Sequence, residues 1–207
     1  MMGGSGGDLK VKEYFDRIAE NYPKMTSSLL LGQMRRREVE SVFKMLSPRH
    51  GDLILDAGCG AGYYSTPLKA LGANVLGIDL STRMAAMASA SGADVMVADL
   101  RSFSLKARFD KILCAGVLEF SGDPLTIIKN LRHHLKDDGY MVFLIPKLSP
   151  IGVLYKLYHL SHGVRVRLFS LRGFELLLED AGLRMAAVEE PTWMSLVAKC
   201  DKEGLGR

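Results

Sequence analysis

A doubly wound, mostly parallel seven-stranded α/β sheet is the fold this chain predicts, and three observations carry the prediction. From Asp52 onward, short apolar runs alternate with segments of helical periodicity. Those runs are apolar at nearly every position, as in parallel strands covered on both faces. The third observation is LILDAGCGAGYYS, Leu53 to Ser65, in which a strand gives way to glycines at alternate positions.

Taken in order, GDLILDAG is the first strand and leads into a helix through Tyr64 to Leu71. NVLGID is the second, with a helix through Met84 to Ala90, and ADVMVAD the third, followed by a loop. FDKILCAG is the fourth. A helix from about Pro124 to Leu135 then ends in the turn DDG, and YMVFLIP is the fifth strand, stopped by its proline. SLRGFELLLEDAGL predicts a helix closed by Gly182, and MAAVEE and MSLVAKC are two last strand-like runs with a break at Pro191. Two segments fall outside this rhythm: an N-terminal helical cap over 9–47 and a cap insertion over 147–172 after the fifth strand. Both are placed to cover the carboxyl edge of the sheet, where open α/β sheets bind ligands. The expected layout is a single domain over 9–200, between a glycine-rich flexible leader over 1–8 and a polar tail over 201–207.

Composition narrows the class. With 48% hydrophobic and 24% charged residues the chain reads as an ordinary globular protein, and no apolar run approaches the ~20 residues of a membrane span. The opening MMGGSGGD lacks the basic and apolar regions of a secretory signal. Three cysteines without CxxC pairing fit a reducing compartment, so a cytoplasmic setting is expected. A net charge of +4, dispersed along the chain, does not argue for nucleic acid. No His/Cys/carboxylate cluster at ligand spacing suggests a metal.

A glycine loop after the first strand brings backbone close to a ligand and aims a helix N-terminus at an anionic group. The dinucleotide fingerprint GxGxxG is broken here, because Tyr63 stands where its third glycine belongs. The spacing Asp56-x-Gly58-x-Gly60-x-Gly62 instead resembles motif I of the class I S-adenosylmethionine-dependent methyltransferases, whose fold is Rossmann-like. GID, ending in Asp79, resembles the acidic position that in this family holds the ribose hydroxyls, and VAD, ending in Asp99, resembles the acid near the adenine. The resemblance implies a cofactor site at Asp56, Gly58, Gly60, Asp79 and Asp99, walled by Ala57, Leu80, Met84, Leu100 and Ala115. Asp56 is expected to receive the cofactor's ammonium, and the loop its carboxylate. FDRIAENY is similar to the opening of quinone-biosynthesis and other small-molecule methyltransferases, which places Tyr22 at the site; Pro23 stands where those enzymes have aspartate. AGVLEFSGDP resembles the family's NVLEHVPDP-like segment, with Glu119 matching its glutamate and Phe120 replacing its histidine.

The implied activity is transfer of a methyl group from S-adenosylmethionine to a small-molecule or lipid-like acceptor, releasing S-adenosylhomocysteine. The acceptor atom, whether O, N or C, stays open. Glu119, Tyr155 and His159 are the catalytic candidates, with His162 beside them, while His133 and His134 are expected to face solvent or cap their helix. CAGVLEF offers no (N/D)PPY-type clamp, which disfavours nucleic-acid bases and glutamine as acceptors. The insertion carries Lys147, Lys156, Arg165, Arg167 and Arg172 among apolar residues and no acid, so it is either a packed cap or a patch for peripheral membrane contact. Oligomeric state is not legible. The alternative from another class is a non-catalytic S-adenosylmethionine-binding scaffold, which Phe120 favours.

Overall fold

The computed structural model describes residues 6–19 and 29–204. Two helices, α1 (Gly6–Ile18) and α2 (Leu29–Leu46), precede an alternation of β1 (Leu53–Ala57), α3 (Ser65–Ala70), β2 (Asn74–Asp79), α4 (Thr82–Ala90) and β3 (Asp94–Val97). The second half comprises β4 (Phe109–Ala115), a 3₁₀ turn (Leu118–Phe120), α5 (Pro124–His133), β5 (Leu135–Pro146), α6 (Pro150–Ser161), α7 (Leu171–Glu179), β6 (Leu183–Thr192) and β7 (Ser195–Lys202). The seven strands form one sheet in the order β3-β2-β1-β4-β5-β7-β6. β1 to β5 pair in parallel, and β7 enters antiparallel between β5 and β6.

Period-two alternation assigns each strand side chain to one of two cores. Leu55, Ile112, Met141 and Phe143 face a core closed by Ile127, Ile128 and Leu131 of α5 and Phe174 and Leu178 of α7. Their neighbours Ile54, Leu113, Val142 and Leu144 face the opposite core, closed by Val42, Met45 and Leu46 of α2 and Leu68 of α3. Burial on both faces is why the strands read as continuous apolar runs. The order reverses between β1 and β4, which opens a crevice at their carboxyl ends.

The structure moves several expected boundaries. Helix α1 begins at Gly6, inside the stretch expected as leader, and β7 reaches Lys202, inside the expected tail. The expected DDG turn is part of β5: pairing with β4 shifts register between Phe109 and Lys111, so the strand absorbs extra residues as a bulge. Pro191 does not break the last two strands. It lies within β6, an edge strand that tolerates a proline, and the reversal falls after Thr192. Of the two roles expected for His134, solvent exposure is excluded by its burial, while the capping role holds: it is the C-cap of α5 with Nδ1 2.8 Å from Asn130 O, its Nε2 accepts from Leu105 N at 3.1 Å, and its ring stacks on Phe103.

Phe143 is fully buried and meets Phe174 edge-on at 5.6 Å between ring centroids. Phe143→Ala is expected to cost about 3–5 kcal/mol of unfolding free energy, read from denaturant titration, because the sheet cannot collapse onto the cavity.

Candidate functional site

The site starts at the tip of β2. Gly58 N and Cys59 N both donate to Ile78 O, at 2.7 and 3.1 Å, so the glycine loop lies along β2 rather than rising from β1. Gly77 permits this, since a Cβ there would stand 2.7 Å from Cys59 Sγ. Gly58 adopts a φ of +77°, which disfavours any side chain. Asp79 then fixes the loop: its Oδ2 accepts from Gly60 N and its Oδ1 from Ser81 N, both at 2.8 Å. Ser81 caps α4 by accepting from Met84 N at 3.1 Å, and its hydroxyl donates to Asp16 Oδ1 at 2.5 Å. Asp16 is itself paired with Lys12, so α1 is docked across the start of α4 and roofs the crevice.

Beneath that roof lies a cavity of about 150 Å³. Of the residues expected to hold the cofactor, Gly58, Gly60, Asp79, Leu80, Met84, Asp99, Leu100 and Ala115 line it. Asp56 and Ala57 do not. Asp56 shares the parity of Ile54 and so points to the α3 face, where Ser65 Oγ donates to its Oδ2 at 2.6 Å. Burial pushes its carboxyl up to about 6, against the Ser65 hydrogen bond, and the side chain faces Ser65 where the sequence expected it toward an ammonium at the cavity. Ala57 is sealed in the opposite core. Tyr22 lies outside the described residues.

Asp99 is held by Arg101: Nη2 donates to Oδ2 at 2.6 Å and Nε to Oδ1 at 3.0 Å. That pairing holds the Asp99 carboxyl below the usual range. Burial pulls Asp79 the other way, upward, with the Ser81 and Gly60 amides opposing it. The acids thus differ in kind, one a half-buried acceptor fixed by backbone amides and the other an ion pair.

A second, larger cavity of about 540 Å³ adjoins the first, and the two share Phe15, Arg35, Gly116 and Phe120 on their linings. All three catalytic candidates, Glu119, Tyr155 and His159, line it. Its walls are otherwise mostly apolar and aromatic: Tyr14, Met34, Leu144, Ile151 and Tyr158 among them. His159 comes from α6 and meets Phe120 edge-on at 5.4 Å, which brings an imidazole beside the phenylalanine that takes the histidine's position in the resembling family. Glu119 Oε2 and His159 Nδ1 are buried with no hydrogen-bond partner among the described residues. Burial pushes the Glu119 carboxyl up to about 8 and, with His162 nearby, pulls the His159 imidazole down to about 4. Both are therefore uncharged at neutral pH. Glu38, on the same lining, is also raised by burial, although Ser195 hydrogen-bonds it.

Sequence reasoning missed Phe15, Arg35, Glu38, Arg101 and Ser195. Arg35 and Glu38 sit one turn apart on α2, a spacing the MRRREVE run contains, yet nothing local distinguishes the arginine facing the cavities from its two neighbours. Among the described residues no group of three His, Cys, Asp or Glu side chains could hold a metal ion.

Comparison with known proteins agrees with this architecture. A family model described as a methyltransferase domain matches residues 31–188. An uncharacterised protein of Methanocaldococcus jannaschii is 30% identical over 151 residues, covering 72% of this chain and 56% of its own. A ubiquinone biosynthesis O-methyltransferase of Paraburkholderia xenovorans is 35% identical over 101 residues, covering 45% of this chain and 44% of its own. The chain spans about half the length of these curated relatives. Magnesium protoporphyrin IX methyltransferase from Synechocystis, solved with SAH bound, superposes with a TM-score of 0.77 at 20% identity, over 95% of this chain and 100% of that one. At that identity the likeness establishes the fold.

Glu119 has a consequence for stability. The folded state keeps its proton between the ordinary 4.5 and about 8, where the unfolded state has released it. Stability is therefore lost as pH rises through that interval. Melting temperature measured as pH rises from the ordinary 4.5 to about 8 is expected to fall less steeply in Glu119→Gln, which stays neutral. Identical slopes would mean that Glu119 is charged in the folded protein.

Proposed function

The chain belongs to the methyltransferase-domain family, and on that premise we propose that it transfers the methyl group of S-adenosylmethionine to a small-molecule or lipid-like acceptor, releasing S-adenosylhomocysteine. The observation that carries this reading is the pair of adjoining cavities with unlike linings. The smaller has the glycine loop and two strand-end acids, which suit a polar cofactor; the larger is mostly apolar and aromatic, with Glu119 and His159 uncharged on its wall, which suits an acceptor.

The residues present fit the cofactor. Asp79 retains lone pairs beyond those used by Gly60 N and Ser81 N, so its two oxygens can accept from the ribose hydroxyls. Asp99 serves the adenine side, with Leu100 and Ile127 on the same lining. Arg35, its guanidinium 4.7 Å from the centroid of the Tyr63 ring, places positive charge where the cavities meet and suits the cofactor's carboxylate. When bound, the cofactor supplies an electrophilic methyl group on a sulfonium. The chain contributes alignment: Phe15, Gly116 and Phe120, at the boundary, hold nucleophile and methyl in line and exclude water, which is where most of the acceleration of an in-line displacement arises. His159, uncharged and with Nδ1 without a hydrogen-bond partner among the described residues, is placed to accept a hydrogen bond that orients a hydroxyl nucleophile, its lowered basicity leaving alignment as its contribution. Glu119, protonated, donates to the acceptor and adds no charge beside it.

The relatives named for ubiquinone biosynthesis support an acceptor of this class. No helix among the described residues is long and apolar enough to cross a membrane, and contact through 147–172 at a membrane surface is the association we propose for a protein otherwise in the cytoplasm.

Calorimetric titration with S-adenosylhomocysteine tests the assignment. Asp79→Ala is expected to weaken binding by about a hundredfold, since two hydrogen bonds to a charged group are lost. The substitution also orphans the Gly60 and Ser81 amides, so circular dichroism must show a folded protein, and Asp79→Asn, which still accepts one amide, is expected to fall between. Unchanged affinity in both variants contradicts the assignment.

A further inference from the structure

Helix α6 walls the larger cavity with Ile151, Tyr155 and His159, and its opposite side is apolar and open to solvent. Val153, Leu157 and Leu160 follow one another at four and three residues, on one helix face, and are 41%, 53% and 49% exposed. Leu154 and Tyr158 do both, lining the cavity while 65% and 46% exposed, so they form its rim. Leu148, just before the helix, is 57% exposed. Trp193, beside the cavity-lining Met194, is 80% exposed. A soluble monomer rarely leaves so many large apolar side chains of one helix in water.

The charges around it are one-sided. No Asp or Glu occurs from 147 to 172. Two of the five Lys and Arg side chains are neutralised from outside the segment, Lys147 by Glu190 and Arg172 by Glu175 and Glu179. Lys156, Arg165 and Arg167 are exposed and form no ion pair among the described residues. Lys156 lies three residues after Val153 and four before Leu160, on the apolar face itself. Its alkyl stem can lie along the leucines while the ammonium reaches outward. Exposed aliphatic side chains with Lys156 among them, on a segment that carries no acid, complement the headgroups and outer acyl carbons of an anionic bilayer.

We propose that α6 docks the protein on an anionic lipid bilayer through Val153, Leu157 and Leu160, and that the larger cavity loads its acceptor laterally from that bilayer past Leu154 and Tyr158. The loading step rests on the reading of this cavity as the acceptor chamber. It narrows the acceptor to an amphiphile that partitions into lipid, for a water-soluble acceptor gains nothing from a rim seated on a membrane.

The test uses the intact protein and vesicles of phosphatidylcholine with and without phosphatidylglycerol. Sedimentation with vesicles is expected only when phosphatidylglycerol is present and is expected to weaken with salt. Trp193, the sole tryptophan, reports depth: brominated acyl chains are expected to quench it on binding. The double variant Leu157→Ser, Leu160→Ser, neither of which lines the chamber, is expected to lower partitioning by about tenfold or more. Sedimentation that ignores the anionic lipid or the double substitution, or the absence of quenching, overturns the proposal. So does a dimer in gel filtration that the double variant converts to monomer without any vesicle binding, which assigns the face to a second copy of this chain. Titration with S-adenosylhomocysteine on the same samples separates the two readings. Cofactor binding without vesicle binding removes the docking and leaves the transferase, whereas vesicle binding without cofactor binding removes the loading step and the transferase together.

Discussion

The site depends on one carboxylate. Asp79 accepts from Gly60 in the loop after β1 and from Ser81 at the start of α4, and through Ser81 it is linked to Asp16 on α1. Loop, helix and roof, three elements distant in sequence, thereby meet at the end of β2. The loop can reach Asp79 only because Gly77 leaves room for Cys59 above the strand. These contacts leave the cavity edge lined with backbone and with a carboxylate that keeps acceptor capacity beyond its two amide bonds. A carboxylate so used is positioned before any cofactor arrives, which lowers the ordering cost of binding.

The two cavities apply opposite electrostatics to adjoining spaces. On the cofactor side, Asp99 is ionised and matched by Arg101, and the glycine loop presents amides. In the larger cavity, burial keeps Glu119 protonated and His159 neutral, so away from the Arg35 boundary these two groups offer hydrogen bonds without charge. A sulfonium placed at the boundary would face aromatic rings, Phe15 and Phe120 in contact at 5.1 Å, rather than competing water. The insertion that brings His159 to the larger cavity is the same segment whose outer face carries the exposed leucines, so the proposed acceptor chemistry and the proposed delivery would share one helix.

Much of this was legible in the residues. The parallel strands announced themselves because both faces are buried, and the strand-end acids Asp79 and Asp99 fell where a crevice at the carboxyl edge requires them. What failed was direction. Asp56 looked like its neighbours in the motif, but its side chain follows the parity of Ile54 into the α3 face and meets Ser65. Pro191 looked like a break because a central strand cannot hold it, and only the strand order shows β6 to be an edge. The basic count of the insertion overstated its free charge, since the acids that neutralise Lys147 and Arg172 arrive from β6 and α7. Arg35 and Glu38 were invisible for a related reason: a helix displays its periodicity in sequence, but not which cavity its polar residues overlook.

The central claim is that methyl transfer takes place where the two cavities meet. Incubation with S-adenosylmethionine labelled on its methyl group, together with an extract of the source cells, tests it most directly. The account predicts protein-dependent movement of label from the cofactor into an acceptor that partitions into organic solvent, abolished by Asp79→Ala. Retention of all label on a cofactor that calorimetry shows to be bound would contradict it and identify the chain as a binding protein without transferase activity.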